Sequence, residues 1–277
     1  GIRSSTARAF LDRARRRPNL RIVTGFDADR VVFEGLRACG VEGRLATGKA
    51  CFSTSGEVIL AAGALNTPAI LQRSGVGRSE HLRPLGIDMV AESPAVGENL
   101  LEHRALMLHY DLAAPLGENA EYRGLRLLAN TMRYALTRRG PMAAPPYPVA
   151  GFFRSRPGLD RPDAEIIFAP YVMQMLETGL QTEPQPSFHV FSFPARSRSR
   201  GSVRIADRDP QTLPRIRPNY LADPYDREVT IACYRFTVAW LRQPEISRLI
   251  AKERPPVTEI DSDEDIVRYY REQGSST

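Results

Sequence analysis

Residues 57–77 read EVILAAGALNTPAILQRSGVG. After Glu57 the run 58–61 is continuously apolar, which predicts a strand over 57–61 buried on both faces. Ala62 and Gly63 make a tight small-residue turn. Thr67 is placed to cap a helix, with Pro68 at its first helical position. Ala69, Ile70 and Leu71 carry the helix forward, and Ser74, Gly75 and Gly77 end it. A strand, a small turn and a helix N-terminus form a geometry that receives a phosphate or the edge of a nucleotide. An ordinary strand-to-helix crossover has the same spacing, and spacing alone favours it.

Upstream, 4–17 places Ala7, Phe10, Leu11 and Ala14 at helical intervals before Pro18. Short strands are predicted at 20–23, 28–33, 37–41 and 50–54, with glycines at the bends. Downstream, 106–111 alternates as a strand. The stretch 125–139 reads as an arginine-rich helix stopped by Gly140 and Pro141. Further strands are predicted at 150–154, 164–169, 188–194 and 202–206, and 174–187 reads as a loop. A long amphipathic helix is predicted at 224–242. Ser262 through Asp265 resemble a capping box before a last helix at 266–271. The pattern is that of a mixed α/β protein.

The 277 residues include 38 basic and 32 acidic side chains, a net charge of +6. Only Lys49 and Lys252 are lysines, so the arginine excess reads as codon bias. The densest basic cluster, Arg196, Arg198, Arg200 and Arg204, fits a turn and strand without interleaved aromatics. No nucleic-acid partner is therefore expected. No run approaches the roughly 20 apolar residues of a membrane span. No secretory h-region opens the chain. Cys39, Cys51 and Cys233 are widely spaced, which suits reduced thiols and a cytoplasmic protein. His81, His103, His109 and His189 have no metal-ligand spacing, and no metal site is expected. Neither a GxSxG elbow, a P-loop nor a GxGxxG loop occurs.

The stretch 63–77 resembles the second signature of the glucose–methanol–choline (GMC) flavoprotein oxidoreductases. That pattern has a small residue, Ser/Thr-Pro, two aliphatics, then Ser-Gly-aliphatic-Gly. RPNL at 17–20, VVFEG at 31–35, HLRPLGI at 81–87, VGENL at 96–100 with Glu102 and His103, RPD at 161–163, SRGSV at 199–203 and PNYLADP at 218–224 are similar to the family in the same order. The resemblance spans essentially the whole chain.

It implies a partial FAD-binding domain at 1–103 and a substrate-binding domain at 104–277, the latter an antiparallel sheet flanked by helices. It implies FAD as cofactor, a small-molecule alcohol as substrate, and hydride transfer from carbon to flavin. The family's GxGxxG would precede Gly1, and its catalytic histidine would follow Thr277. No catalytic residue is thus expected in this chain, which alone should be inactive and bind FAD weakly or not at all. Carried over residue by residue, the cofactor would meet Ala28, Ala62, Gly63, Asn66, Thr67, Asn99 and His103. Ala28 stands where the family usually has valine, and Glu102 where it usually has aspartate. By analogy with the family's substrate sheet, Tyr147, Phe152 and Phe168 would line the substrate pocket. A non-catalytic binding or scaffold domain with the same fold is the alternative, favoured if this chain is the whole gene product.

Overall fold

The computed structural model describes residues 2, 4–113, 116–177 and 179–276. The chain forms two compact units. One comprises Ser4–Leu101 with Ser199–Asn219, the other Glu102–Arg198 with Tyr220–Thr277.

The first unit opens with helical turns over Ala7–Leu11 and Asp12–Ala14. An antiparallel meander follows: β1 (Asp27–Glu34), β2 (Arg37–Leu45) and β3 (Gly48–Ser53). Gly43 on β2 is required by close approach, because a Cβ there would lie 2.1 Å from the carbonyl oxygen of Asp27. Helix α1 (Gly63–Arg73) packs on β1. Ser74 Oγ accepts from the Val31 amide at 2.8 Å and donates to the Ile70 carbonyl at 2.6 Å. The guanidinium of Arg73 meets the Asp29 carboxylate at 2.8 Å and its carbonyl at 3.0 Å.

The segment 199–219 belongs to this unit for a specific reason. Gln72, buried on α1, donates to the Val203 carbonyl at 2.9 Å and accepts from the Ile205 amide at 2.9 Å. Strand Gly201–Arg204 then pairs with Glu98–Leu100 on one side and Arg215–Arg217 on the other. One glutamine side chain thereby closes two backbone groups more than 130 residues away in sequence.

Two expected strands do not form. Neither 20–23 nor 57–61 enters a ladder, and both runs are largely exposed. Ile59 is 84% exposed. The apolar run has no strand beside it among the described residues, so neither ladder bonds nor burial can hold it extended. The helix start is also corrected. α1 begins at Gly63, Pro68 lies inside it, and Thr67 Oγ1 accepts from the Ala62 amide at 3.1 Å. The hydroxyl thus binds back to the turn instead of capping a helix that starts after it.

The second unit is built on a six-stranded antiparallel sheet. Its strands are β4 (Arg104–Leu112), β5 (Val149–Phe153), β6 (Ala164–Ala169), β7 (Ser187–Pro194) and β8 (Ile250–Glu253), in the order β8-β4-β7-β6-β5, with Ser275–Ser276 pairing the start of β4. All eight residues of β7 are buried. Helices α2 (Pro224–Leu241) and α3 (Asp263–Gln273) cover one face. There Leu106, Leu108, Tyr110, Phe188 and Val190 meet Val238, Leu241, Ile266 and Tyr270. Asp223 caps the first helix, and Ser262 with Asp265 form a capping box on the second. The expected loop at 174–187 contains a hairpin instead, Met173–Leu176 with Gly179–Thr182. Its alternation is too short to be visible against flanking turn residues.

Candidate functional site

In the first unit, Ala62, Gly63 and Asn66 are exposed and Thr67 is half-buried, all at the N-terminal end of α1. Gly63 has φ +83°, and a Cβ built on it would meet nothing within 4 Å. The turn therefore presents bare backbone to open space, with the unpaired N–H groups of the helix start beside it. A cofactor approaching here would find donors and no side-chain obstruction, so the turn fits an FAD edge. Ala28 lies on β1 next to Asp29, which Arg73 holds at the other end of α1. Ala28 thus neighbours the residue bound at the C-terminal end of α1, while Gly63 lies at its N-terminal end. Asn99 sits exposed in the strand Glu98–Leu100 with φ +60°.

In the second unit, strand register sorts the aromatic candidates. Directly opposed residues share a face. Phe152 opposes Glu165, which opposes Phe193; Ile167 opposes Phe191; His189 opposes both Ala169 and His109. These side chains lie on the face away from the helical core. Tyr147 packs across it, 5.5 Å from the Phe191 ring and 6.1 Å from the His189 ring. His103 joins the same face, its ring 5.1 Å from Phe193. Phe168 does not. It opposes Val149 and Val190, and its ring lies 5.3 Å from Phe188 in the helix-side core. Of the three pocket candidates, Tyr147 and Phe152 share the open face and Phe168 points the other way.

The face carries groups that sequence reading had not singled out. His189 is buried, and burial, reinforced by the neighbouring His109, pushes its pKa down to about 4. Burial likewise lowers His109, with Arg254 adding to the effect. Both rings are therefore neutral near pH 7. Burial raises the carboxyl of Glu165, while His103 pulls the other way. Tyr171 closes the cluster, 6.3 Å from His189 and 5.1 Å from Tyr122. The available signal was the alternation of β7, which puts Ser187, His189, Phe191 and Phe193 on one side. It could be used only once the pairing partners were known.

The GMC oxidoreductase family model matches residues 1–105, and a second GMC oxidoreductase model matches 197–277. The chain belongs to the GMC oxidoreductase family, whose members bind FAD. It is similar to the oxygen-dependent choline dehydrogenase of Paraburkholderia phytofirmans, 36% identical over 272 residues, covering 98% of this chain and 48% of that protein. A protein of the same name from Serratia proteamaculans is 35% identical over 278 residues, covering 100% of this chain and 50% of that protein. The chain thus spans about half the length of the curated relatives it matches. Among solved structures, formate oxidase superposes with a TM-score of 0.84 at 22% identity, over 95% of this chain and 51% of that one. Pyridoxine 4-oxidase from Mesorbium loti gives 0.81 at 22% identity, over 99% and 50%. The mixed α/β fold with its antiparallel sheet is the GMC fold.

Among the described residues no helix is long and apolar enough to cross a membrane, and no cluster of His, Cys, Asp and Glu could hold a metal.

Proposed function

We propose that this chain is the central part of a flavin-dependent oxidoreductase that oxidises a small-molecule alcohol, with choline-like alcohols the leading substrate class. The observation that carries this reading is the open Ala62–Gly63 turn at the start of α1, in a chain of the GMC family. The first unit, Ser4–Leu101 with Ser199–Asn219, supplies walls for FAD through Ala28, Ala62, Gly63, Asn66, Thr67 and Asn99. The second unit supplies the substrate-facing sheet, with His103, Tyr147 and Phe152 on its open face. FAD, when bound, supplies the hydride acceptor, and the protein supplies position and electrostatics.

The aromatic face supports a cationic alcohol. Tyr147 and Phe152, both exposed on that face, offer aromatic surface to a quaternary ammonium group, and a neutral His189 adds no repulsion. The similarity to choline dehydrogenases points the same way. The family's catalytic histidine is not among the residues we assign, so this chain alone should not turn over substrate. Three free cysteines support a reducing compartment such as the cytoplasm.

The test is an absorbance scan from ~350 to ~500 nm of the full-length protein, followed by anaerobic addition of choline and simple alcohols. Flavin bands that bleach with an alcohol are expected. A colourless full-length protein with no affinity for FAD would overturn the reading. The 277-residue chain alone should show neither bands nor turnover.

A further inference from the structure

The arginine-rich helix Gly124–Thr137 has its faces reversed. Leu125, Leu128, Met132 and Leu136 recur at helical intervals and form one stripe. They are 84%, 56%, 54% and 85% exposed. The side turned inward carries Leu127, Asn130 and Tyr134: Asn130 is the helix's buried residue, and its amide donates to the carbonyl and carboxylate of Glu121 at 3.0 and 2.9 Å. A surface helix of a globular unit ordinarily does the opposite. The reversal is therefore not a consequence of packing within this unit.

Charge says what the stripe would meet. Residues 123–139, RGLRLLANTMRYALTRR, contain five arginines and no acidic residue. Arg126 and Arg133 flank the stripe on the helix, and Arg123, Arg138 and Arg139 bracket its ends. Arg126 meets Glu121 at 3.0 Å, Arg138 lies over the Tyr134 ring at 5.2 Å, and Arg123 donates to the Thr182 carbonyl. The Arg126 side chain remains about two-thirds exposed despite its ion pair, at 67%. A protein surface covering this helix would need apolar area and several carboxylates together. An anionic bilayer supplies both, acyl chains for the stripe and phosphates for the arginines.

We propose that the helix Gly124–Thr137 is a membrane-surface anchor that lies in the headgroup boundary of an anionic bilayer. Leu125, Leu128, Met132 and Leu136 enter the acyl region, and Arg126 and Arg133 hold lipid phosphates. The helix has 14 residues, so it lies along the surface and does not span it. The proposal is independent of the identity of the alcohol.

The experiment is co-sedimentation of the full-length protein with vesicles of phosphatidylcholine containing about 30% phosphatidylglycerol, against pure phosphatidylcholine, at ~0.1 M salt. Binding to the anionic vesicles is expected, weakened about tenfold or more on the neutral ones. R126Q/R133Q should weaken it by about twenty-five-fold, roughly fivefold per charge. L125Q/L136Q should weaken it at least about tenfold with an unchanged circular dichroism spectrum. A folded wild type that stays in the supernatant with anionic vesicles would overturn the proposal. So would an L125Q/L136Q variant that partitions like wild type. A dimer that L125Q/L136Q returns to monomer would assign the stripe to a second copy instead. Failure of a Leu136→Cys thiol to react with a maleimide in the full-length protein, mapped by peptide mass, would mean that another segment covers it.

Discussion

Residues 58–61 and 187–194 both read as strands, yet they end in opposite surroundings. SFHVFSFP at 187–194 becomes β7, paired on both sides and buried at every position. VILA at 58–61 has no ladder partner among the described residues of this chain, and Ile59 stands 84% exposed. β-propensity is close to equal in the two runs. What differs is the neighbourhood: β7 has β4 and β6 within hydrogen-bonding distance and helices over one face. A strand is a property of its partners more than of its own residues.

The comparison can be broken most strongly at the centre of β7. Val190→Asp would place a charge in a fully buried site among Leu108, Phe188 and the covering helices. It should cost more than ~4 kcal/mol and leave the second unit unfolded, seen as loss of the cooperative transition in denaturant. A midpoint within error of wild type would mean that β7 is not the core strand.

A second test uses pH. The folded pKa of His189 is about 4, against about 6.5 in an unfolded chain. Below pH ~6.5 the unfolded chain takes a proton that the folded one refuses, so stability is complete above that pH and is lost as pH falls toward 4. The contribution is about 3 kcal/mol. Guanidinium melts at pH 7, 5.5 and 4.5 should show the wild type losing stability, with His189→Phe losing less. Parallel pH curves for the two proteins would contradict the assignment.

The third test asks whether the first unit has locks of its own despite its exposed run. Gly97 has φ +81°, and a Cβ there would lie 2.2 Å from the Val203 carbonyl oxygen and 2.3 Å from Gln72 Nε2. Gly97→Ala should therefore destabilise that unit by about 2 kcal/mol and loosen 199–219, measurable as faster amide exchange at Val203 and Ile205. Unchanged exchange would mean that Gln72 is not what holds the segment. The smallest effect is expected at Ile59. In the 277-residue chain Ile59→Asp should change stability by less than ~0.5 kcal/mol, since the side chain loses no buried contact. A loss of several kcal/mol would show that the run is covered after all.

The legible part of the fold was local. β6, the helix Pro224–Leu241 and the Ser262–Asp265 capping box follow from periodicity, capping residues and proline placement. Thr67 and Pro68 misled for a physical reason. They carry a helix-start signature, but the glycine at 63 lets the chain enter the helix a turn earlier, and the Thr67 hydroxyl binds back to Ala62. In the candidate site, the family pattern proposed Ala62, Gly63 and Asn66 without any structure. It could not divide Tyr147 and Phe152 from Phe168, because face assignment needs register, and a one-residue shift reverses it.

The sequence by itself determined the family, the identity of most helices and strands, and the small-residue turn where bare backbone is offered. Those features depend on side chains within a few positions of each other, or on a motif that no other arrangement shares. Tertiary structure alone decided that 199–219 folds back onto Gln72, that His189 is neutral in an aromatic face, and that 57–61 finds no partner among the described residues. It also decided that the helix Gly124–Thr137 turns its leucines outward. Each of these rests on which distant segments come within contact, and hydrogen bonding, burial and pKa follow from those contacts.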